Sequence, residues 1–123
     1  MDADGHTPGR KVAIITAAGK GMGAACAREL AARRYSLALM SRSKEATDLA
    51  RALGGMGLER SVTQEADLRT LVEKTLQAYG RVDAVVNSTG HPPTAEILDI
   101  TDEDWHAGLD LVMLNVELGW RAC

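Results

Sequence analysis

The chain has 123 residues, enough for one domain or part of one, and with 46% apolar content but no Phe its core must come from Ala, Val, Leu, Ile and Met. A net charge of −3 argues against general nucleic-acid binding, and no apolar run approaches the length of a membrane span. Cys26, Cys123, His6, His91 and His106 show neither metal-ligand spacing nor a disulfide framework, so no metal is expected.

Residues 1–9 are polar and turn-rich and read as a disordered arm without a signal-peptide core, which sets the expectation of a cytoplasmic protein whose folded part spans residues 10–123. Lys11–Thr16 reads as a buried strand. Met22–Arg34 reads as a helix, with Met22, Cys26 and Leu30 at i, i+4, i+8 and small residues Ala24, Ala27 and Ala31 beside them for close packing on a sheet. Tyr35–Ser41 is a second strand, and Lys44–Leu53 a second helix behind a Ser43 N-cap. Residues 54–57 read as a turn before a short third strand over Leu58–Val62. Glu65–Tyr79 carries Leu68, Leu71, Val72, Thr75, Leu76 and Tyr79 on one helical stripe, and Gly80 stops it. Val82–Ser88 is the fourth strand, and residues 90–93 form a loop. Thr101 and Asp104 suggest a capping box, with Ile100 and Trp105 as its hydrophobic staple, opening a last helix that runs over residues 102–120.

Alternating strands and helices predict a parallel sheet with right-handed crossovers: an α/β, three-layer, Rossmann-type doubly wound fold, truncated after about four strands. The stretch between the first strand and first helix carries most of the chemistry. Gly19, Gly21 and Gly23 alternate after Thr16. Glycines let the backbone turn sharply and approach a ligand closely, and the helix start then offers free N–H groups and a positive dipole end to an anion. That is the physics of a dinucleotide site. A Walker loop is excluded, because Gly19-Lys20 is followed by Gly21 and Ile14 stands five residues before Gly19. The charge is uneven: residues 1–60 hold ten Lys/Arg and six Asp/Glu, residues 61–123 four and eleven. Both a positive first half around phosphates and two plain solvated faces fit that division.

Residues 16–23 resemble the T-G-x-x-x-G-x-G loop of short-chain dehydrogenases/reductases. Asn87-Ser88-Thr89-Gly90 resembles that family's N-N-A-G, and residues 80–86 its G-x-[IVL]-D-x-[LV]-V approach. The similarity runs from Lys11 to about Val116 and implies a nicotinamide-cofactor site. Its residues are Thr16, Gly19, Lys20, Gly21, Met22 and Gly23 in the loop; Ser41, Arg42 and Ser43 after the second strand; Ser61 and Val62 after the third; and Asn87, Ser88, Thr89 and Gly90 after the fourth. Departures are visible. Ala17 replaces a glycine, with Gly19 expected to relieve the strain by shifting the turn; Ser61 stands where the family often has an Asp that contacts adenine. Neither a flavodoxin-like nor a receiver-like fold accounts for residues 87–90 together with Arg42.

Arg42 follows the second strand where an NAD site has an acid for the ribose 2′-OH. An arginine pairs instead with a 2′-phosphate, and the flanking serines can donate to it, so NADP is expected over NAD. The alternative is a solvated arginine at a helix start.

The resemblance also implies carbonyl/alcohol interconversion by hydride transfer, on a 3-oxoacyl or similar ketone. The family's chemistry uses a Tyr-x-x-x-Lys pair and a serine. Here Tyr35 is followed at that spacing by Leu39 and Tyr79 by Asp83. Of the catalytic set only Asn115 has a counterpart, and a buried asparagine bonding a backbone carbonyl would look the same. The sequence therefore reads as the cofactor-binding portion of a reductase, inactive alone. A non-enzymatic nucleotide-binding or interaction module, or one piece of a split reductase, are the alternatives. The apolar last helix suggests self-association or a partner chain.

Overall fold

The computed structural model describes residues 9–89, 94–114 and 116. The expected arm over residues 1–8, the loop at 90–93, Asn115 and the tail from residue 117 lie outside the described residues. In chain order the elements are β1 (Val12–Thr16), α1 (Gly21–Ala32), β2 (Ser36–Ser41), α2 (Glu45–Leu53), β3 (Met56–Glu59), α3 (Glu65–Tyr79), β4 (Ala84–Val86), a 3-10 turn (Ile97–Asp99), α4 (Asp102–Leu109) and a π-helical turn (Asp110–Leu114).

The sheet order is β3-β2-β1-β4, and every pair is parallel. Ile14 of β1 faces Ala38 on one side and Val85 on the other. Strand alternation divides the core in two. Ala13, Ile15, Leu37 and Leu39 pack with Ala27, Ala46 and Ala50 of α1 and α2, where alanines let the helices sit close. Ile14, Ala38 and Met40 pack with Leu68, Leu71 and Val72 of α3, and Leu111 leans on that side. This is the three-layer arrangement expected of a doubly wound sheet.

Helix ends follow the sequence. Gly80 takes φ +77° and its N–H donates to the Leu76 carbonyl at 2.8 Å. The Thr101 hydroxyl accepts from the Asp104 N–H at 3.1 Å. Four expectations need correcting. β3 begins at Met56 rather than Leu58, because Gly57 belongs to the strand: a Cβ there would lie 2.7 Å from Thr47 Cα in α2. β4 is shorter than Val82–Ser88, since the backbone pairs with β1 only over Ala84–Val86. Met22, placed on the apolar stripe of α1, is 82% exposed; the buried face is Gly23, Ala24 and Ala27. The last helix is α-helical over Asp102–Leu109 and widens into the π turn over Asp110–Leu114, while residues 117–120 of its expected span lie outside the described residues.

At the N-terminal margin of the sheet, Asp83 and Val12 clamp each other. The Asp83 N–H donates to the Val12 carbonyl at 2.9 Å, and the Val12 N–H donates to Asp83 Oδ2 at 2.8 Å. Arg81 also donates to both oxygens of that carboxylate. Arg81 first, and then the Val12 N–H, hold the Asp83 carboxyl below its ordinary value. A depressed folded value stabilises the fold above the unfolded carboxyl pKa, and the gain disappears as pH falls through the folded one. Asp83→Asn is therefore expected to lower the urea midpoint at pH 7. The gap to the unsubstituted chain should close toward pH 3, and a gap independent of pH would contradict the clamp.

Candidate functional site

Because all four strands run the same way, the segments after them converge on one sheet margin. The order also places β1 between β2 and β4, so the chain leaves β1 and β4 toward opposite sides of the sheet, which is where open α/β sheets hold ligands. Thr16–Gly23 emerges there from β1, Ser41–Ser43 from β2, Ser61 and Val62 beyond β3, and Asn87–Thr89 from β4.

The loop after β1 is held from both sides. The Ala18 N–H donates to the Met40 carbonyl of β2 at 3.1 Å. The Thr16 hydroxyl donates to the Ser88 carbonyl at 2.9 Å and accepts from the Ser88 N–H at 3.0 Å. Thr16 is buried, so its side chain ties the two switch-point segments together rather than facing solvent. Gly21 takes φ +60° at the start of α1 with open space where a side chain would be. Gly23 is the opposite case: a Cβ there would fall on the Ala17 carbonyl oxygen. Gly19 does not shift the turn away from Ala17. Ala17 itself takes the left-handed conformation, φ +48°, so the strain stays at Ala17.

The N-terminus of α1 has neither a side-chain cap nor an acidic residue in its first turn. The first turns of α2, α3 and α4 all carry acids: Glu45 and Asp48; Glu65 and Asp67; Asp102, Glu103 and Asp104. The α-helix that opens at the glycine loop thus carries no carboxylate in its own first turn, although Glu45 of α2 packs against the loop at Gly19. Lys20 and Met22 are exposed beside it.

After β2, the Ser41 hydroxyl donates to the Ser43 carbonyl at 2.8 Å and accepts from the Ala46 N–H at 3.1 Å. The N-cap position of α2 is Lys44 rather than the expected Ser43, because the helix begins at Glu45; Ser43 Oγ, one residue earlier, accepts from the Glu45 N–H at 3.4 Å. The Ser41 proton is used inside the turn; that of Ser43 has no such partner among the described residues. Arg42 is exposed and in no salt bridge with a described residue. After β3, Ser61 Oγ accepts from the Thr63 N–H at 3.2 Å and lies 2.8 Å from Thr63 Oγ1, while the Ser61 N–H donates to Asp67 Oδ2 at 3.1 Å. Val62 is buried with Met40 and Leu68. Asn87 is exposed and borders a shallow apolar groove with Ile14, Thr16, Leu68, Leu71, Val72 and Val85. Gly90 and Asn115 lie outside the described residues.

Sequence reasoning did not single out Arg60. Its N–H donates to the Ser41 carbonyl at 2.9 Å, which continues the β2–β3 pairing one bond past the Ser41–Glu59 pair. The available signal was a charged pair, Glu59-Arg60, inside the expected third strand. Among the described residues no group of His, Cys, Asp or Glu could hold a metal ion, and no helix is long and apolar enough to cross a membrane.

Residues 11–120 match the family model described as short chain dehydrogenase. An uncharacterized oxidoreductase of Methylorubrum extorquens is 34% identical over 119 residues, covering 91% of this chain and 48% of that protein. The 3-oxoacyl-[acyl-carrier-protein] reductase of Escherichia coli is 32% identical over 114 residues, covering 90% and 46%. The crystal structure of a 3-ketoacyl-ACP reductase from Sinorhizobium meliloti superposes with a TM-score of 0.81 at 27% identity, covering 89% of this chain and 46% of that one. The chain spans just under half the length of these relatives.

Proposed function

The chain belongs to the short-chain dehydrogenase family, and we propose that residues 10–123 form the NADP-binding portion of an oxidoreductase that interconverts a carbonyl and an alcohol. The observation that carries this reading is the N-terminus of α1, uncapped and without an acidic residue in its first turn, opening at a glycine loop on the switch-point margin of the sheet. The residues fit a dinucleotide. Gly23 lets the first turn of α1 lie against the Ala17 carbonyl, and the N–H groups of that turn are left to face a pyrophosphate. When bound, the cofactor supplies the hydride. The chain's own residues hold and orient it. Thr16, through Ser88, keeps the β1 and β4 exits in register, and residues 87–90 border the nicotinamide half. Ser61 and Val62 border the adenine half. Arg42 receives the 2′-phosphate, with Lys20 and the Ser43 hydroxyl beside it, while Ser41 shapes the turn. Asn115 is the one residue of the family's catalytic set in this chain. The E. coli and S. meliloti relatives reduce 3-oxoacyl groups by name, which supports a 3-oxoacyl or similar ketone as substrate class.

Titration tests the cofactor assignment. A charge-assisted hydrogen bond is worth roughly 1.5–3 kcal/mol, so Arg42→Ala should weaken NADPH by on the order of 10- to 100-fold. NADH affinity should hardly change. Equal loss for both cofactors would reject Arg42 as the 2′-phosphate ligand.

Self-association is part of the same reading. Trp105, Leu109, Met113 and Val116 fall at helical spacing, and all are more than 40% exposed. A stripe of this kind supports pairing with a second copy or a partner chain. Light scattering should show oligomers at high concentration, and a stable monomer there would count against it.

A further inference from the structure

An arginine follows the last paired residue of each of two neighbouring strands, Arg42 after β2 and Arg60 after β3. Ser41 pairs with Glu59, and the next N–H of β3, that of Arg60, donates to the Ser41 carbonyl at 2.9 Å. Arg60 is therefore one peptide beyond the same register position that Arg42 continues on β2. The two arginines are unevenly paired. Arg42 enters no salt bridge with them, and Arg60 reaches Asp67 only at 3.7 Å, with its side chain 53% exposed. Asp67 is itself engaged by the Ser61 N–H through its other oxygen. Of the Arg60 guanidinium, one N–H donates to the Glu59 carbonyl at 3.1 Å. The rest of that donor fork has no hydrogen bond to a described residue.

We propose that Arg60 is a second specificity-determining residue, contributing with Arg42 to the recognition of the adenosine 2′-phosphate. The inference rests on the NADP reading above. A phosphate monoester is close to a dianion at neutral pH, and two planar guanidinium groups complement it better than one. Asp67 lies 3.7 Å from Arg60 Nε, one edge of the guanidinium, and leaves Nη2 without a hydrogen bond to a described residue.

The experiment is calorimetric titration of the full chain with NADPH and, separately, NADH, for the unsubstituted protein, Arg42→Ala, Arg60→Ala and Arg60→Lys. Arg60→Ala should weaken NADPH by about 5- to 30-fold, as for a partly solvated charge-assisted contact, and leave NADH within about twofold. Arg60→Lys, which keeps the charge but not the fork, should fall between. An NADPH/NADH ratio unchanged by Arg60→Ala while Arg42→Ala collapses it would overturn this inference and leave the cofactor reading standing. Equal loss of both cofactors in Arg60→Ala would show a structural role through Asp67 and overturn it as well. An unsubstituted chain that binds neither cofactor would remove both readings together.

Discussion

Purified chain is expected to bind NADPH without oxidising it when offered ketones or 3-oxoacyl thioesters. Hydride transfer to a carbonyl needs a positioned acid for the oxygen, and such a group contributes about 10²–10⁴-fold. Neither tyrosine can serve. Tyr35 precedes β2 and Tyr79 precedes β4, so both lie at the margin opposite the glycine loop. At about 3.3 Å per strand residue, Tyr35 is roughly 20 Å from Arg42. Tyr79 is buried, and its hydroxyl donates to the Leu37 carbonyl at 3.1 Å. No lysine stands four residues after either. The assay is NADPH oxidation, with Arg42→Ala/Asn87→Ala as control. Turnover on the order of one per second, typical of a working enzyme, that disappears in the control would show that this chain carries its own acid.

A second large effect is expected at Gly23. In Gly23→Ala the new methyl meets the Ala17 carbonyl oxygen and lies 3.1 Å from Ala18 Cα, both backbone atoms that cannot rotate away. Overpacking of this kind costs about 1–3 kcal/mol and sometimes more. Here it also pushes the first turn of α1 off the loop, so NADPH affinity should fall together with the melting temperature. Ala17→Gly should act the other way. A left-handed alanine costs roughly 1–2 kcal/mol, and the greater freedom of unfolded glycine offsets only about 0.5–1 kcal/mol of that relief. Thermal melts of both variants check the pair. A Gly23→Ala chain that melts and binds like the unsubstituted one would mean that the loop is not packed as described.

The parallel sheet, its four strands and the helices between them were legible because β-branched runs and the 3.6-residue stripe of α3 are local patterns. The site margin was legible for the same reason: once strands are parallel, their C-terminal segments share an edge. What sequence could not give were distances across the fold. The glycines of residues 54–57 suggested a turn, yet Gly57 is in β3 because α2 passes too close for a side chain. Met22 has the right period for burial but sits in the first turn of α1, where the helix projects past the sheet. Thr16 and Ser88 are 72 residues apart, and only the folded chain shows that one hydroxyl bonds both polar groups of the other's backbone. The position of Arg60 just past the Ser41–Glu59 pair depends on a strand register that the composition of β3 does not announce.

If one sheet margin, formed by the exits of β1, β2, β3 and β4, holds an NADP(H) molecule, an amide-resolved NMR titration of the chain with NADPH should show it. Saturable shifts are expected in residues 17–23, 41–43, 60–62 and 87–89, with the Arg81–Asp83 margin unaffected. Absence of binding at millimolar NADPH, or shifts centred away from those four segments, would rule that site out.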